Sequence, residues 1–320
     1  MPDHAVPATP APSACQVDGD LRASVILPHL NTPELLVRAL QSVAAQRLDH
    51  GAFEIIVVDN GSRMPLDAVA ASWPDVRFLV EPEPGPGPAR NLGVAHARGR
   101  VLAFVDADIR VAPDWLLTGV RAVEADPDRP VGGDVRIDFH DPRRPNAIEA
   151  FEAVFSFRQK MYINRRGFSG SGNLMVDREL FRKVGGFGPI NTAEDRQWGL
   201  KARAMGHPTR YLPEMRVYHP PRGSREDVEA RWARLIAHQF DEHQAKGRSP
   251  FRWKMQALAV LLSAVAQAPV VLFSERVPTA GGRVRGLTFL FQNRCYRFME
   301  MHRIAGNRDA GGAESWNRTS

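Results

Sequence analysis

The chain has 320 residues, 43% of them hydrophobic and 24% charged, with a formal net charge of +6. That is the make-up of a globular protein with room for one large α/β domain and an appendage. Its two cysteines, Cys15 and Cys295, lie far apart and outside any ligand spacing, which argues against a disulfide framework or a zinc site and fits a reducing compartment.

Residues 1–20 are rich in Pro and Ala. They lack a basic start and an apolar run, so they read as a disordered lead-in and not as a signal peptide. The first predicted strand is Ala23–Leu27. A loop, Pro28-His29-Leu30-Asn31, follows, and then a helix to Gln46 with Thr32 as N-cap, Pro33 at its first position and Leu36, Leu40 and Val43 at helical spacing. Phe53–Val58 is the second strand and ends in a turn sequence, Asp59-Asn60-Gly61-Ser62. Val76–Val80 is the third. The segment Gly85-Pro86-Gly87-Pro88-Ala89-Arg90 superficially suggests a dinucleotide fingerprint. Arg90 stands where the last glycine is needed, however, and Pro86 and Pro88 lack the N–H groups of a phosphate cradle. Ala89–Arg98 reads as a helix with Arg90 near its start, placed to face phosphates.

Val101–Val105 is apolar without alternation, as a strand buried on both faces is. Asp106 and Asp108 follow at its end, where ligands collect in an open α/β sheet. Two acids at i and i+2 can both reach one hard cation, and that cation can hold a diphosphate; a plain turn is the competing reading. The first 110 residues therefore predict a parallel sheet with helices on both faces. A helix over Pro113–Ala125, a strand over Val131–Ile137 and a helix over Asn146–Gln159 come next. Phe168–Val176 joins small residues to an apolar strand, and small residues let a ligand approach the backbone. Asp177 caps a short helix that stops at Gly185-Gly186.

Thr192-Ala193-Glu194-Asp195 opens a helix that runs through Ala204. Thr192 with Asp195 resembles a capping box; the alternative is that Asp195 is a general base beside a cleft. His219 follows an apparent strand and is either structural or a metal contact. Ser224 caps an amphipathic helix carrying Val228, Trp232, Leu235, Ile236 and Phe240. Met255–Phe273 is the most apolar stretch, about as long as a minimal membrane span, though Gln256, Ser263, Gln267 and Pro269 interrupt it. Leu287, Leu290, Phe291, Cys295 and Phe298 mark a second amphipathic helix with Arg294, Arg297 and Arg303. Residues 222–320 hold 16 Lys and Arg against 9 Asp and Glu, while residues 1–221 hold 26 against 27, so the basic excess belongs to the C-terminal part. With no nucleic-acid motif beside it, that excess points to an anionic membrane surface; a solvated basic face with no partner is the competing reading.

Five pieces in order carry a resemblance: Val25-Ile26-Leu27-Pro28 through Asn31; Val58-Asp59-Asn60-Gly61-Ser62; Gly87-Pro88-Ala89-Arg90-Asn91; Asp106-Ala107-Asp108; and Glu194-Asp195. Over residues 22–222 the chain resembles a family 2 inverting glycosyltransferase of the GT-A fold, with His29-Leu30 where relatives carry Thr followed by Tyr or Phe. The resemblance implies a GT-A (Rossmann-like), mostly parallel sheet over residues 21–222; beyond it the residues themselves read as a helical extension over 223–304, open to membrane association, and a disordered tail over 305–320. It implies a nucleotide-sugar donor contacted by Pro28, Asn31, Asp59, Arg90, Asp106 and Asp108. It further implies a divalent cation, Mn2+ or Mg2+, on Asp108, Asp106 and His219, with Asp108 the direct ligand. Gly172, Asn173 and Glu194 would line the sugar and acceptor pocket, and Asp195 would be the catalytic base. The acceptor would be a glycan or lipid-linked, at the inner face of the cell membrane and with no nucleic acid involved.

Two rivals stand beside it. One is a phosphotransferase using Asp106 as nucleophile, although Arg110 occupies the place where such sites carry Thr or Val. The other is a sugar-nucleotide-binding or membrane scaffold protein without catalysis, against which the intact Asp106, Asp108 and Asp195 argue. Sugar-nucleotide pyrophosphorylases share a similar sheet but open on a Gly-rich basic loop, and Pro28–Asn31 holds no Gly.

Overall fold

The computed structural model describes residues 21–48, 52–190 and 193–306. The chain divides into two compact units. One holds the chain up to Arg136 together with Phe157–His219; the other holds Ile137–Ser156 and the chain from Pro220 onward. The helix after Asn146, expected inside the larger domain, thus belongs with the C-terminal helices.

The first unit is built on β1 (Leu21–His29), β2 (Ala52–Asp59), β3 (Val76–Val80), β4 (Val101–Val105), β5 (Arg110–Val111), β6 (Val131–Ile137), β7 (Asn173–Asp177) and β8 (Arg210–His219). They form one sheet in the order β3-β2-β1-β4-β7-β6-β8-β5. The β1–β2, β1–β4 and β2–β3 pairs are parallel. The β4–β7, β6–β7 and β5–β8 pairs are antiparallel. The sheet is therefore mixed: parallel where βα units alternate, antiparallel at β4–β7, β6–β7 and β5–β8. The chain leaves β1 on one side for β2 and β3 and returns on the other for β4. That switch opens a crevice at the strands' carboxyl ends, where His29, Asp59 and Asp106 fall.

The unbroken apolar runs explain the central strands. Val25, Ile26, Leu27, Ile56, Val57, Val58 and all of β4 are buried, with helices on both faces. One face takes α1 (Pro33–Ala44) through Leu36, Leu40 and Val43. Thr32 does not cap α1 with its side chain; its backbone N–H donates to His29 Nε2 instead (3.1 Å). After α2 (Asp67–Ser72) and β3 comes α3 (Pro86–His96), which starts earlier than expected because Pro86 sits pre-set in its first turn. Its Gly87 lies so close to the carbonyl of Gly188 that a side chain there would collide with it. Next comes α4 (Trp115–Ala125), with Trp115, Leu116, Val120 and Val123 buried.

In the second unit, α5 (Ala147–Phe155) begins on a capping box between Asn146 and Glu149 and stops at Phe155, short of Gln159. Phe157, back in the first unit, has a left-handed φ of +48°, a conformation that ends a helix and that a bulky residue seldom adopts. A single turn, α6 (Gln159–Met161), passes into a π-helical turn at Tyr162–Arg166. Asp177 then caps α7 (Arg178–Val184) as its sequence position predicts, accepting from the N–H groups of Glu179 and Leu180. It is followed by α8 (Glu194–Ala204). The rest of the second unit is α9 (Arg225–Ala245), α10 (Pro250–Leu272) and α11 (Ala280–Gly306). Ser224 caps α9 by accepting from the N–H of Asp227.

Candidate active site

Three loops at the carboxyl ends of β1, β2 and β4 set the site's floor. Asp59, the last residue of β2, is paired in register with His29 of β1. Its Oδ1 lies 3.0 Å from His29 Nδ1 and accepts from the Ser62 hydroxyl, while Oδ2 accepts from the Ser62 N–H at 3.1 Å. Because His29 Nε2 accepts from Thr32, the ring proton resides on Nδ1 and is donated to Asp59. Asn31, at φ +55°, accepts at Oδ1 from the Arg63 N–H, and its own N–H donates to Ser62 Oγ. The predicted donor contacts Asn31 and Asp59 are thus locked into one loop network, with Pro28 half-buried on β1 just before it. Asn60 closes the network by accepting from the Gly85 N–H, which fixes the start of α3.

Arg90 of α3 is buried and links two acids. Its Nη2 donates to Asp106 Oδ1 at 2.5 Å, and its Nη1 to Glu194 Oε1 at 3.2 Å. Glu194 and Asp195 open α8 after Ala193, so Arg90 gathers α3, the end of β4 and the start of α8 around one point. Burial raises the carboxyl of Glu194 above its usual range, and the charge of Arg90 partly offsets it. Burial likewise raises Asp195, opposed by the Arg196 N–H that donates to its Oδ1 at 2.6 Å. Thr192, the other half of the suggested capping box, lies outside the described residues.

The turn Gly170–Gly172 lies between Asp106 and Asp195. A Cβ on Gly172 would strike Asp106 Oδ2, and one on Gly170 would come to 3.7 Å from Asp195 Oδ2. Gln159 holds this turn from below, accepting from the Gly170 N–H at Oε1 (3.1 Å) and donating to its carbonyl through Nε2 (3.4 Å). The predicted acids Asp106, Glu194 and Asp195 therefore meet, with Arg90 among them.

Asp108 and His219 come together by another route. The two-residue strand β5 pairs Arg110 with Tyr218 and Val111 with Val217, and Arg110 lies over the Tyr218 ring. That register sets His219 Nε2 3.3 Å from Asp108 Oδ2. The Phe157 ring packs on the imidazole, with centroids 4.3 Å apart. Burial raises the carboxyl of Asp108, His219 lowers it in part, and Asp106 adds to the rise. Asp108 Oδ1 is buried and finds no hydrogen-bond partner among the described residues, an arrangement that favours a cation there. Among the described residues no group of three or more His, Cys, Asp or Glu side chains is gathered to ligate an ion alone. Hard divalent ions on phosphates are commonly held by one or two carboxylates plus phosphate oxygens, so Asp106 and Asp108 fit such an ion.

One predicted pocket residue has its side chain committed to the fold. Asn173 is fully buried, and its amide is spent on the fold. It donates to the carbonyls of Asp134 and Met215 and accepts from Trp115 Nε1. It ties β7 to β6, β8 and α4. Four neighbours were given no site role from the sequence: His29, Phe157, Gln159 and Gly170. Only Phe168–Val176 carried a signal, its run of small residues.

A parallel half-sheet with its switch at β1 and β4, continued by antiparallel strands and carrying acids at the crevice, defines a GT-A glycosyltransferase fold. The chain belongs to glycosyl transferase family 2, whose profile matches residues 24–185. It is 29% identical over 205 residues to glycosyltransferase AglE of Haloferax volcanii, covering 62% of this chain and 67% of that protein. It is 37% identical over 98 residues to the succinoglycan biosynthesis protein ExoO of Rhizobium meliloti, covering 30% of this chain and 28% of that protein. The chain thus spans about two thirds of the one and under a third of the other. Among solved structures it is similar to the mannosyltransferase PcManGT of Pyrobaculum calidifontis, in complex with GDP-Man and Mn2+. The TM-score is 0.54 with 19% identity, over 91% of this chain and 89% of that one.

Proposed function

We propose that the chain transfers a sugar, with inversion, from a nucleoside diphosphate sugar to an acceptor hydroxyl. The observation that carries this reading is the meeting of Asp106, Glu194 and Asp195 around Arg90 and the Gly170–Gly172 turn. Asp59 binds the base or ribose, held in place by His29 and Ser62. Asp106 and Asp108 hold a divalent cation, Mn2+ or Mg2+, with His219 against Asp108. When bound, that cation supplies positive charge to the diphosphate as it leaves. Arg90 orients Asp106 and adds its own charge near the donor.

Asp195 takes the proton of the acceptor hydroxyl as the oxygen attacks the anomeric carbon from the side opposite the diphosphate. The carbon–oxygen bond to the diphosphate breaks in the same displacement, so no covalent intermediate forms and the configuration inverts. General-base help of this kind contributes about 10²–10⁴-fold. A phosphotransferase with Asp106 as nucleophile is disfavoured by Arg110, which stands where such sites carry Thr or Val, and by the family 2 profile over residues 24–185.

The acceptor we assign is a glycan or a lipid-linked one at the cytoplasmic face of the membrane. The basic excess of residues 222–320 and the long apolar α10 support this reading. The test is a thermal-shift screen of nucleotide sugars with Mn2+ or Mg2+, followed by a transfer assay with the best donor. Donor-specific stabilisation that needs the metal, together with transfer, supports the proposal. Phosphate release from simple esters without sugar transfer would overturn it.

A further inference from the structure

The second unit exposes a long apolar face on α10. Phe251, Met255, Leu258, Leu262, Val265, Pro269 and Leu272 follow one another at alternating steps of four and three, one stripe along the helix. All are exposed, Leu262 at 60% and Val265 at 66%, and Phe273 just beyond the helix at 80%. The opposite face, Trp253, Ala257, Ala264 and Val271, is buried. From Met255 to Phe273 the helix carries no charge at all. Isolated apolar side chains on a surface are ordinary; a charge-free stripe of this length marks a face that docks on something.

Charge names the occupant. Between His243 and Ser274 there are four cations, Lys246, Arg248, Arg252 and Lys254, all exposed, and no Asp or Glu. They cluster before and in the first turn of α10. A basic rim beside an apolar stripe is complementary to anionic headgroups over acyl chains. The buried face argues against a crossing. Trp253 Nε1 donates to the carbonyl of Met301, and Gln267 accepts from Arg294 Nη2 at 2.6 Å, so α11 runs alongside α10. A crossing α10 would drag Arg294, Arg297, Glu300 and Arg303 into hydrocarbon, at high cost.

We propose that α10 lies in the plane of an anionic lipid surface, its stripe from Phe251 to Phe273 sunk among the acyl chains and Lys246, Arg248, Arg252 and Lys254 on the headgroups. This inference rests on the second unit alone and stands whether or not the first unit transfers sugar.

The full chain is sedimented with vesicles of phosphatidylcholine alone or mixed with phosphatidylglycerol. Binding to the anionic vesicles is expected, weakened by salt and weakened about fivefold for each cation removed, as in R252Q or K254Q. L262E/V265E, placed at exposed positions and checked for an intact fold by circular dichroism, is expected to abolish binding. For orientation, R252C and S274C are made in a C15S/C295S background and treated, on vesicles, with an impermeant thiol reagent added outside. Both are expected to react. No binding to anionic vesicles, or unchanged binding by L262E/V265E, would overturn the proposal. So would protection of Cys at 274 alone, which means a crossing. A dimer in solution that L262E/V265E dissociates, without lipid binding, would give the face to a second copy of the chain.

Discussion

Asp108 Oδ2 and His219 Nε2 stand 3.3 Å apart although 111 positions separate them in the chain, and the short β5–β8 ladder is what joins them. The imidazole is fixed on its other side by the Phe157 ring. In the proposed reading His219 orients or supplements the ion held by Asp108. His219→Gln should therefore weaken Mn2+ affinity about 10–100-fold, the usual cost of losing such a partner. Nucleotide binding without metal should change little. Calorimetric titration of Mn2+ into protein with nucleoside diphosphate measures both; equal losses with and without metal would remove His219 from the ion.

Asp195 gives a prediction in pH. Burial raises its carboxyl above the ordinary range, and a base works only when ionised. Turnover should therefore fall toward acid pH through an ionisation higher than that of an exposed Asp. For stability, a raised folded pKa means the folded state holds the proton more tightly than the unfolded chain does. The stability this contributes is present in full at low pH and lost as pH rises through the folded pKa. Asp195→Asn should therefore raise the melting temperature at neutral pH while lowering kcat by at least about 10². Retained turnover in D195N with donor binding intact would exclude it as the base.

His29 is predicted to act through Asp59. It is buried, its Nδ1 proton is donated to the carboxylate, and its Nε2 is occupied by Thr32. His29→Phe keeps a ring but removes both hydrogen bonds. A hydrogen bond to a charged group is worth about 1.5–3 kcal/mol, so nucleotide affinity should fall about tenfold or more, with kcat at saturating donor nearly unchanged. A fall in kcat alone would contradict this positioning role.

Much of the first unit was legible because its signals are local. The runs Val25–Leu27, Ile55–Val58 and Val101–Val105 are apolar on both faces, and only a central strand requires that. Asp106 and Asp108 announce themselves by following such a run. The antiparallel half was not legible, since pairing between β4 and β7 or β5 and β8 depends on partners far away in sequence, and two residues of β5 hold no periodicity. Asn173 misled for a related reason. After Gly170-Ser171-Gly172 it reads as a loop residue, yet it is the first residue of a buried strand whose three polar partners come from elsewhere. The left-handed Phe157 had no signal, because aromatic residues so rarely take that conformation.

Gly172 separates steric from electronic demands on the site. A Cβ there would meet the Asp106 carboxylate first and the Ile109 Cδ1 atom at 3.2 Å. The carboxylate is the end of a side chain and can yield, so Gly172→Ala should turn Asp106 away from Arg90, with a loss of stability from breaking that buried pair. Metal-dependent donor binding and transfer should both fall. Gly170→Ala meets Gln159 Nε2 at 3.1 Å and Asp195 only at 3.7 Å, so it should disturb donor binding less. Calorimetry on the pair gives the comparison, and a G170A defect in metal-dependent binding larger than that of G172A would reverse the placement.

Asn173→Ala should behave as a fold mutation and not as a pocket mutation. It leaves the Trp115 indole N–H buried without its partner and removes one bond each from the carbonyls of Asp134 and Met215. An orphaned buried donor costs about 1–3 kcal/mol, so the loss in urea unfolding should be at least about 1 kcal/mol. Nucleotide affinity, measured well below the unfolding transition, should stay within about twofold of the parent, because the amide faces β6, β8 and α4 and not the crevice. A variant that kept its stability but lost acceptor or donor affinity would return Asn173 to the pocket and require the Gly170–Asn173 segment to be repositioned.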